Sequence, residues 1–553
     1  MNNKMNEQGT NPRTRTDVLL LVAFCGFLFF YGLGAFGLLG ADEPRYAQIA
    51  REMLDRSDWV TPTLQGKPWL EKPVLYYWEA MLSFRLERAL TSAKDQNDDG
   101  VTDKWARLPA AFDAVLLIAV IYLFLRRFRP GSELDGALIT ASCAGVIGFA
   151  HAAATDMPLA ATFSIALLAW YAWYEGRRRV FLAAFYISLA LGTLAKGPVA
   201  PALTAVIILL FVAVKRDWLA IPPTLWIPGI FLYLAVMLPW YIAVQLRNPE
   251  FFRFFILEHN LARFSQDVYH HHQPFWFYLP VFLLAMMPWT LALILAVAER
   301  GRLLWLDGKE AFSNPEDSWP LFLLIWILVP ILFFSASQSK LPGYILPAVP
   351  AGALLVAEYL AVRRSEEERI SPRFAAAHGV VCGLLIFGAL SAASIAVHHH
   401  LVWGTGTYVA AAIAVVFALG ISAALLSRAG LRLLRSATMI AVVVSVAAVI
   451  RLAAPVIDAT QSSRPIAESI QAFSHEPVPI ALYHINRVQE YGLEFYLNRP
   501  ARPYESGNIP AAEHVVVAAQ GTQSQVALLV PGRRVSYLTS IPAQKLDLYW
   551  VGK

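Results

Sequence analysis

The sequence predicts a polytopic α-helical membrane protein with about 13 transmembrane helices, amphipathic helices on its outer surface and a small C-terminal α/β domain. Three observations lead there. Of the 553 residues, 57% are hydrophobic and only 15% are charged. The mean hydropathy of +0.49 is far above that of an ordinary soluble domain. Apolar runs then recur as far as residue 453, joined by connections that are basic on every second occasion, before the chain turns more polar.

The runs lie at 18–37, 108–125, 137–150, 159–174, 181–194, 198–214, 227–244, 275–297, 321–334, 344–360, 380–397, 410–426 and 437–453. Several are short for a bilayer crossing and imply tilt or breakage. The first lacks a small-residue cleavage site and reads as a retained span. Basic connections fall at Arg13 and Arg15, at Arg126, Arg127 and Arg129, at 177–179, at Lys215 and Arg216, at Arg300 and Arg302, at Arg363 and Arg364, and at Arg428, Arg432 and Arg435. These mark the cytoplasmic side, with the N-terminus inside and the C-terminus outside. The longest polar segments are then external: the loop 40–105, the loop 245–273 and the tail. The chain divides into a membrane domain, 1–454, and an outer domain, 455–553.

The net charge of +5 reflects loop arginines that set topology, and no nucleic-acid surface is expected. Cys25, Cys143 and Cys382 all lie in apolar runs and suggest no disulfide framework. In the tail, β-like runs at 480–485, 515–519, 526–530 and 546–551 surround a helical run at 465–473.

The first external segment is GADEPRYAQIAREMLDRSDWVTP. Tyr46, Ile49, Ala50, Met53 and Leu54 share one helix face, while Arg45, Arg51, Glu52, Asp55 and Arg56 occupy the other, as in a helix lying at a membrane surface. Asp42 precedes it, placed either to cap the first turn or to act as a functional carboxylate. A second surface helix is expected to begin at Pro73, with Glu71 and Lys72 at its N-terminus and Val74, Leu75, Trp78 and Leu82 behind. Lys72 there suits a phosphate, or pairs with Glu71 in water.

Asp156, in ATDMP, sits where one span ends and the next begins, and either caps a helix or faces a cavity. The aromatic loop 251–278 carries Arg253, Glu258, His259, Arg263 and His270 to His272. Its arginines can bind phosphate, and Glu258 or His259 can join Glu71 at a metal; the other reading is a set of interfacial aromatics with solvated histidines. Lys340, in SKLPGY, either snorkels to headgroups or reaches a phosphate. Residues 95–103 match the opening of a calcium loop, but Ala106 stands where the bidentate glutamate belongs. No GxxxxGK[ST], GxSxG or CxxC motif occurs, so ATP-driven chemistry is unsupported.

DEPRYAQIAREML after the first span, EKPVLYYW on the second surface helix and the aspartate of ATDMP together resemble the C-type-fold membrane glycosyltransferases that use polyprenyl-phosphate sugars. FILEHNLARF, SKLPGYILP and the outer domain extend the likeness toward the aminoarabinose transferases of lipid A modification. The resemblance implies transfer of 4-amino-4-deoxy-L-arabinose from undecaprenyl phosphate to lipid A phosphates on the periplasmic face of a bacterial inner membrane, with resistance to polymyxin and cationic peptides. It implies Asp42 and Asp156 as catalytic residues, with Arg45, Lys72, Arg263, Lys340 and Tyr344 around the carrier phosphate. Glu71 and His259 become candidate metal ligands. EKPV replaces the KPP of many relatives and leaves Lys72 in place.

The expected partners are an undecaprenyl-phosphate-linked sugar, lipid A and membrane lipids, for a monomer that requires no cofactor beyond that candidate divalent cation. Competing expectations are a protein O-mannosyltransferase, or another polyprenol-phosphate-sugar transferase, and an anionic-lipid transporter. The internal symmetry common in transporters is absent from the sequence.

Overall fold

The computed structural model describes residues 12–91, 102–255, 273–306, 318–366, 369–473, 477–507 and 509–553. All thirteen apolar runs fold as helix, the first only as far as Phe30. In chain order these helices are α1 (Pro12–Cys25), followed by the surface helices α2 (Asp42–Asp55) and α3 (Leu75–Leu90), then α4 (Asp103–Phe128), α5 (Glu133–Ser142), α6 (Ala144–Ala150), α7 (Asp156–Gly176), α8 (Arg179–Lys196) and α9 (Val199–Lys215). They continue with α10 (Ile227–Arg247), α11 (Tyr278–Ala285), α12 (Thr290–Leu306), α13 (Ser318–Ala336), α14 (Val349–Ser365), α15 (Pro372–His398), α16 (Thr405–Leu426), α17 (Gly430–Ala448) and α18 (Ala454–Gln461). Among the described residues, nine helical stretches are long and apolar enough to cross a membrane, and two bent pairs raise the number to 11. The chain is a multi-pass membrane protein.

The bent pairs explain the short runs. Helices α5 and α6 meet at 64°, and the pair around α11 and α12 at 116°. The two breaks dock on each other: the Ala144 N–H donates to the Met287 carbonyl at 2.9 Å, and the Trp289 indole donates to Ser142 Oγ at 2.8 Å. Backbone freed inside a membrane needs such partners.

Ion pairs sort the helix ends as the basic connections predict. Asp135 binds Arg435 at 2.6 Å and also Arg364, Arg129 binds Glu175 at 2.5 Å, and Arg363 binds Glu299. All these residues lie at the basic end. Asp42, Asp156 and the sheet domain lie at the other.

At that other end α2 and α3, linked through the short antiparallel strands β1 (Thr63–Leu64) and β2 (Lys67–Pro68), pack together over the start of α4. Tyr46, Ile49, Ala50 and Met53 are buried as the helical periodicity requires, but so is Arg51, expected on the solvated face. The reason is the C-terminal domain, which covers that face. Helix α3 begins at Leu75 instead of Pro73, because the Val74 carbonyl is the first in its ladder, accepting from Trp78 at 3.0 Å. Leu82 does not face the protein; it is exposed with Leu86 and Leu90 in an outward apolar stripe. Pro109 leaves the Trp105 carbonyl without a helical donor, and Ser83 Oγ supplies one at 2.6 Å, joining α3 to α4.

The C-terminal domain contains α19 (Arg464–Phe473), β3 (Ile480–Tyr483), α20 (Arg487–Leu497), β4 (Ala501–Pro503), β5 (His514–Ala519), α21 (Gln523–Leu529), β6 (Val535–Ile541) and β7 (Leu546–Val551). Its sheet order is β4-β3-β5-β7-β6, parallel across the first three and antiparallel across the rest. Strand β5 is central. Its Val515 and Val517 pack with Ile466, Ile470 and Leu493 on one face, and Val516 packs with Val526 and Tyr549 on the other. The expected strand at 526–530 is instead the helix α21, since only Val526 of its first turns is needed to cover the sheet and Leu528 is 81% exposed.

Helix α20 ties this domain to α2. Arg51 Nη1 donates to the Phe495 carbonyl at 2.8 Å, Gln48 donates to Asn498 at 3.3 Å, and Gln65 donates to Glu494. Asp103, the ninth position of the calcium-like stretch, accepts from Tyr496 at 2.6 Å and from Arg464 at 2.8 Å. It is a docking residue. Residues 95–101 of that stretch lie outside the described residues.

Burial first, then the neighbouring Glu490, pushes the Glu494 carboxyl up to about 8. A raised folded-state value means that the neutral acid stabilises docking below the ordinary carboxylate range, and that this contribution is lost as pH rises toward 8. Glu494→Gln is therefore expected to hold its melting temperature better than wild type between pH 5 and pH 8. Identical pH profiles for the two proteins would contradict the burial argument.

Candidate active site

The site is built on a buried ion pair next to the acidic motif. Arg107 of α4 is fully buried and Glu43 nearly so. The guanidinium donates to both Glu43 oxygens, at 3.2 and 2.7 Å. It also donates to the carbonyls of Leu33 at 2.9 Å, Phe36 at 2.8 Å and Gly37 at 2.8 Å. Glu43 in turn accepts from the Leu39 N–H and the Ala153 N–H, each at 2.7 Å. Burying two charges is tolerated because nearly every donor and lone pair is used.

The lock places Asp42 at the first residue of α2. It is not the cap the sequence allowed: Ala41 holds that position, and no side chain caps the helix. Asp42 is 53% exposed on its side chain and accepts from Arg45 Nη2 at 2.5 Å. The guanidinium of Arg45 lies 5.2 Å from the ring centre of Tyr46, 5.1 Å from Trp69 and 5.6 Å from Tyr491. Burial lowers the Arg45 pKa, but Tyr46, Asp42, Glu71 and Tyr77 together raise it further, so it stays charged.

Across Tyr46 stands a second pair. Asp156 begins α7 and accepts from Lys196 Nζ, the last residue of α8, at 2.6 Å. That ammonium sits 4.9 Å from the Tyr344 ring centre. Tyr46 is driven well above its ordinary pKa by burial and then by Asp42, with Asp156 adding to the rise, so the phenol remains neutral between the two carboxylates. Tyr77 is raised by burial and by Glu71 and Asp42, against Arg45. Both are neutral aromatic walls, unsuited to act as bases. Gly343 closes the floor: a Cβ there would stand 2.6 Å from Asp156 Oδ1.

The structure thus gathers Asp42, Arg45 and Asp156 around Tyr46, with Glu71 near Arg45 and Tyr77 and with Tyr344 against Lys196. Lys72 is partly buried in the turn beside Glu71. Lys340 does not snorkel to headgroups; it is buried, and its ammonium donates to the Ser337 carbonyl of its own loop at 2.5 Å. Arg263 and His259 lie outside the described residues, as do Glu258 and His270 to His272. Among the described residues no three His, Cys, Asp or Glu side chains form a metal-holding group. Glu43, Lys196, Trp69 and Tyr491 were not singled out from sequence. Lys196 had a usable signal, since helices joined at their basic ends bring Asp156 and Lys196 to the same outer end.

Arg107→Ala is expected to destabilise the protein by about 3–5 kcal/mol, because it leaves Glu43 buried without its charge partner and three carbonyls without donors. Denaturation of the purified protein checks this, and an unchanged midpoint would contradict it. Arg107→Lys is expected to recover little, lacking the five-donor fork.

The model of the dolichyl-phosphate-mannose-protein mannosyltransferase family matches residues 16–255. The chain is 32% identical over 403 residues to undecaprenyl phosphate-alpha-4-amino-4-deoxy-L-arabinose arabinosyl transferase of Aeromonas salmonicida (strain A449), covering 71% of this chain and 69% of that one. To the protein of that name from Pseudomonas aeruginosa (strain UCBPP-PA14) it is 32% identical over 357 residues, covering 64% of this chain and 60% of the relative's length. The fold is similar to that of ArnT from Cupriavidus metallidurans, solved bound to undecaprenyl phosphate, with a TM-score of 0.74 and 22% identity over 96% of this chain and 97% of that one.

Proposed function

Since the chain belongs to the undecaprenyl phosphate-α-4-amino-4-deoxy-L-arabinose arabinosyl transferase family, we propose that it moves 4-amino-4-deoxy-L-arabinose from undecaprenyl phosphate to a phosphate of lipid A. The site would face the periplasm from a bacterial inner membrane, with Arg- and Lys-rich connections on the cytoplasmic side. The observation that carries the reading is the half-exposed Asp42 carboxylate, 2.5 Å from Arg45 and separated by Tyr46 from the Asp156–Lys196 pair. Cations and carboxylates are interleaved there, which suits a substrate bearing both a phosphate and an ammonium group.

In the transfer, a lipid A phosphate oxygen bonds to C1 of the sugar as the bond from C1 to the carrier phosphate oxygen breaks. The electron pair leaves on undecaprenyl phosphate. With a dianionic acceptor the charges balance, one phosphate losing a negative charge as the other gains it, so no base is required above the second phosphate pKa of about 6. Arg45 and Lys196 would stabilise the charge developing on the carrier in a partly dry site. Asp42 would hold the sugar's ammonium or orient the acceptor, and would take a proton only from a singly ionised phosphate. Lys72, Lys340 and Arg263 remain candidates for the carrier phosphate, and Glu71 with His259 for a divalent cation.

Asp42→Asn is expected to lower transfer by a factor of about a hundred or more while undecaprenyl phosphate still binds. Purified protein given labelled donor with lipid A, or with an acceptor peptide, provides the test. Near-normal turnover of the variant would remove Asp42 from the chemistry, and transfer to the peptide would favour a protein glycosyltransferase. Movement of intact donor across a bilayer without release of undecaprenyl phosphate would favour a transporter.

A further inference from the structure

The C-terminal domain reaches the site through Tyr491. Tyr491 of α20 lies with its ring centre 5.6 Å from the Arg45 guanidinium, alongside Trp69 and Tyr46. One turn later on α20, Phe495 holds Arg51 by its carbonyl at 2.8 Å and by its ring at 4.4 Å. Tyr496 holds the Leu38 N–H at 2.7 Å. The seating of α20 over α2 is therefore secured by contacts that do not involve Tyr491.

Arg45 needs more than its ion pair to be held still. Its carboxylate partner Asp42 is 53% exposed on its side chain, and such a pair restrains a long side chain weakly. Aromatic faces attract a guanidinium through its plane and leave its N–H edge available, whereas a second carboxylate would occupy that edge and cancel the charge. Arg45 Nη2 is taken by Asp42, while Nε is buried and makes no hydrogen bond. The guanidinium is thus held within an aromatic box, one wall of which belongs to the C-terminal domain.

We propose that Tyr491 is a positioning residue: with Tyr46 and Trp69 it holds the Arg45 guanidinium in place for the carrier-lipid phosphate, so that the C-terminal domain completes the anion site. The identity of the anion rests on the proposed function. The Tyr491 hydroxyl also lies within hydrogen-bonding reach of the guanidinium; the proposed role belongs to the ring face.

The test uses the purified full-length chain with undecaprenyl phosphate as the probe, measuring its Kd, the donor KM, kcat and the melting temperature. Tyr491→Leu keeps apolar bulk and loses the π face. It is expected to raise Kd and KM about three- to thirtyfold and to lower kcat by no more than a similar factor, because Arg45 also meets the charge developing on the carrier. Tyr491→Phe restores both values, and Tyr491→Leu adds nothing further in an Arg45→Ala background. The proposal is overturned by an unchanged Kd in Tyr491→Leu, by a loss that persists in the Arg45→Ala background, or by a Phe variant as weak as the Leu variant. A wild-type chain that fails to bind undecaprenyl phosphate also overturns it. If the binding pattern appears but no aminoarabinose is transferred, the sugar assignment fails and the role of Tyr491 stands.

Discussion

Arg107 commits all five of its N–H donors to the segment that leads into α2: three bind backbone carbonyls between Leu33 and Gly37, and two bind Glu43. Through Glu43 the same network reaches Ala153, three residues before Asp156. The first transmembrane helix, the first surface helix, α4 and the turn before α7 are thus pinned at one point. A buried pair of this kind gives little net stability compared with well-packed apolar residues. Its effect here is geometric, because it fixes where α2 begins and hence where Asp42 and Arg45 stand.

Around that fixed point the charged groups are spread over elements distant in sequence. Asp42 and Arg45 come from α2, Asp156 and Lys196 from the outer ends of α7 and α8, Tyr344 from the start of a later span and Tyr491 from the C-terminal domain. They meet because helix parity brings them to one end of the bundle. The Asp42–Arg45 and Asp156–Lys196 pairs each match charge with charge, which limits the cost of holding these groups at the edge of a membrane. A phosphate entering next to Arg45 then competes with Asp42 for the guanidinium.

Hydropathy made the spans legible, since crossing a bilayer demands a continuous apolar stretch. It could not show that 137–150 and 275–297 are broken, because a break depends on the partner that accepts the freed backbone: Ala144 needs Met287. The periodicity of α2 was readable, yet Arg51 was assigned to water because the domain that covers it lies more than four hundred residues away. Asp42 and Glu43 are neighbours of the same chemical type. Which of them is buried as an anchor and which is offered to solvent was decided by Arg107, a residue within an apolar helix that the motif did not include. In the tail, the apolar run at 526–530 fits a strand as well as a helix, and the need to cover the second face of the sheet selected the helix.

The sugar and its acceptor define the proposed reaction. The most direct measurement is mass spectrometry of lipid A from Gram-negative cells that make the aminoarabinose donor but lack their own transferase, with and without this chain expressed. Lipid A carrying aminopentose on a phosphate only when the chain is present is the predicted result. Unmodified lipid A in both, with the protein folded in the membrane and the donor accumulating, would contradict it.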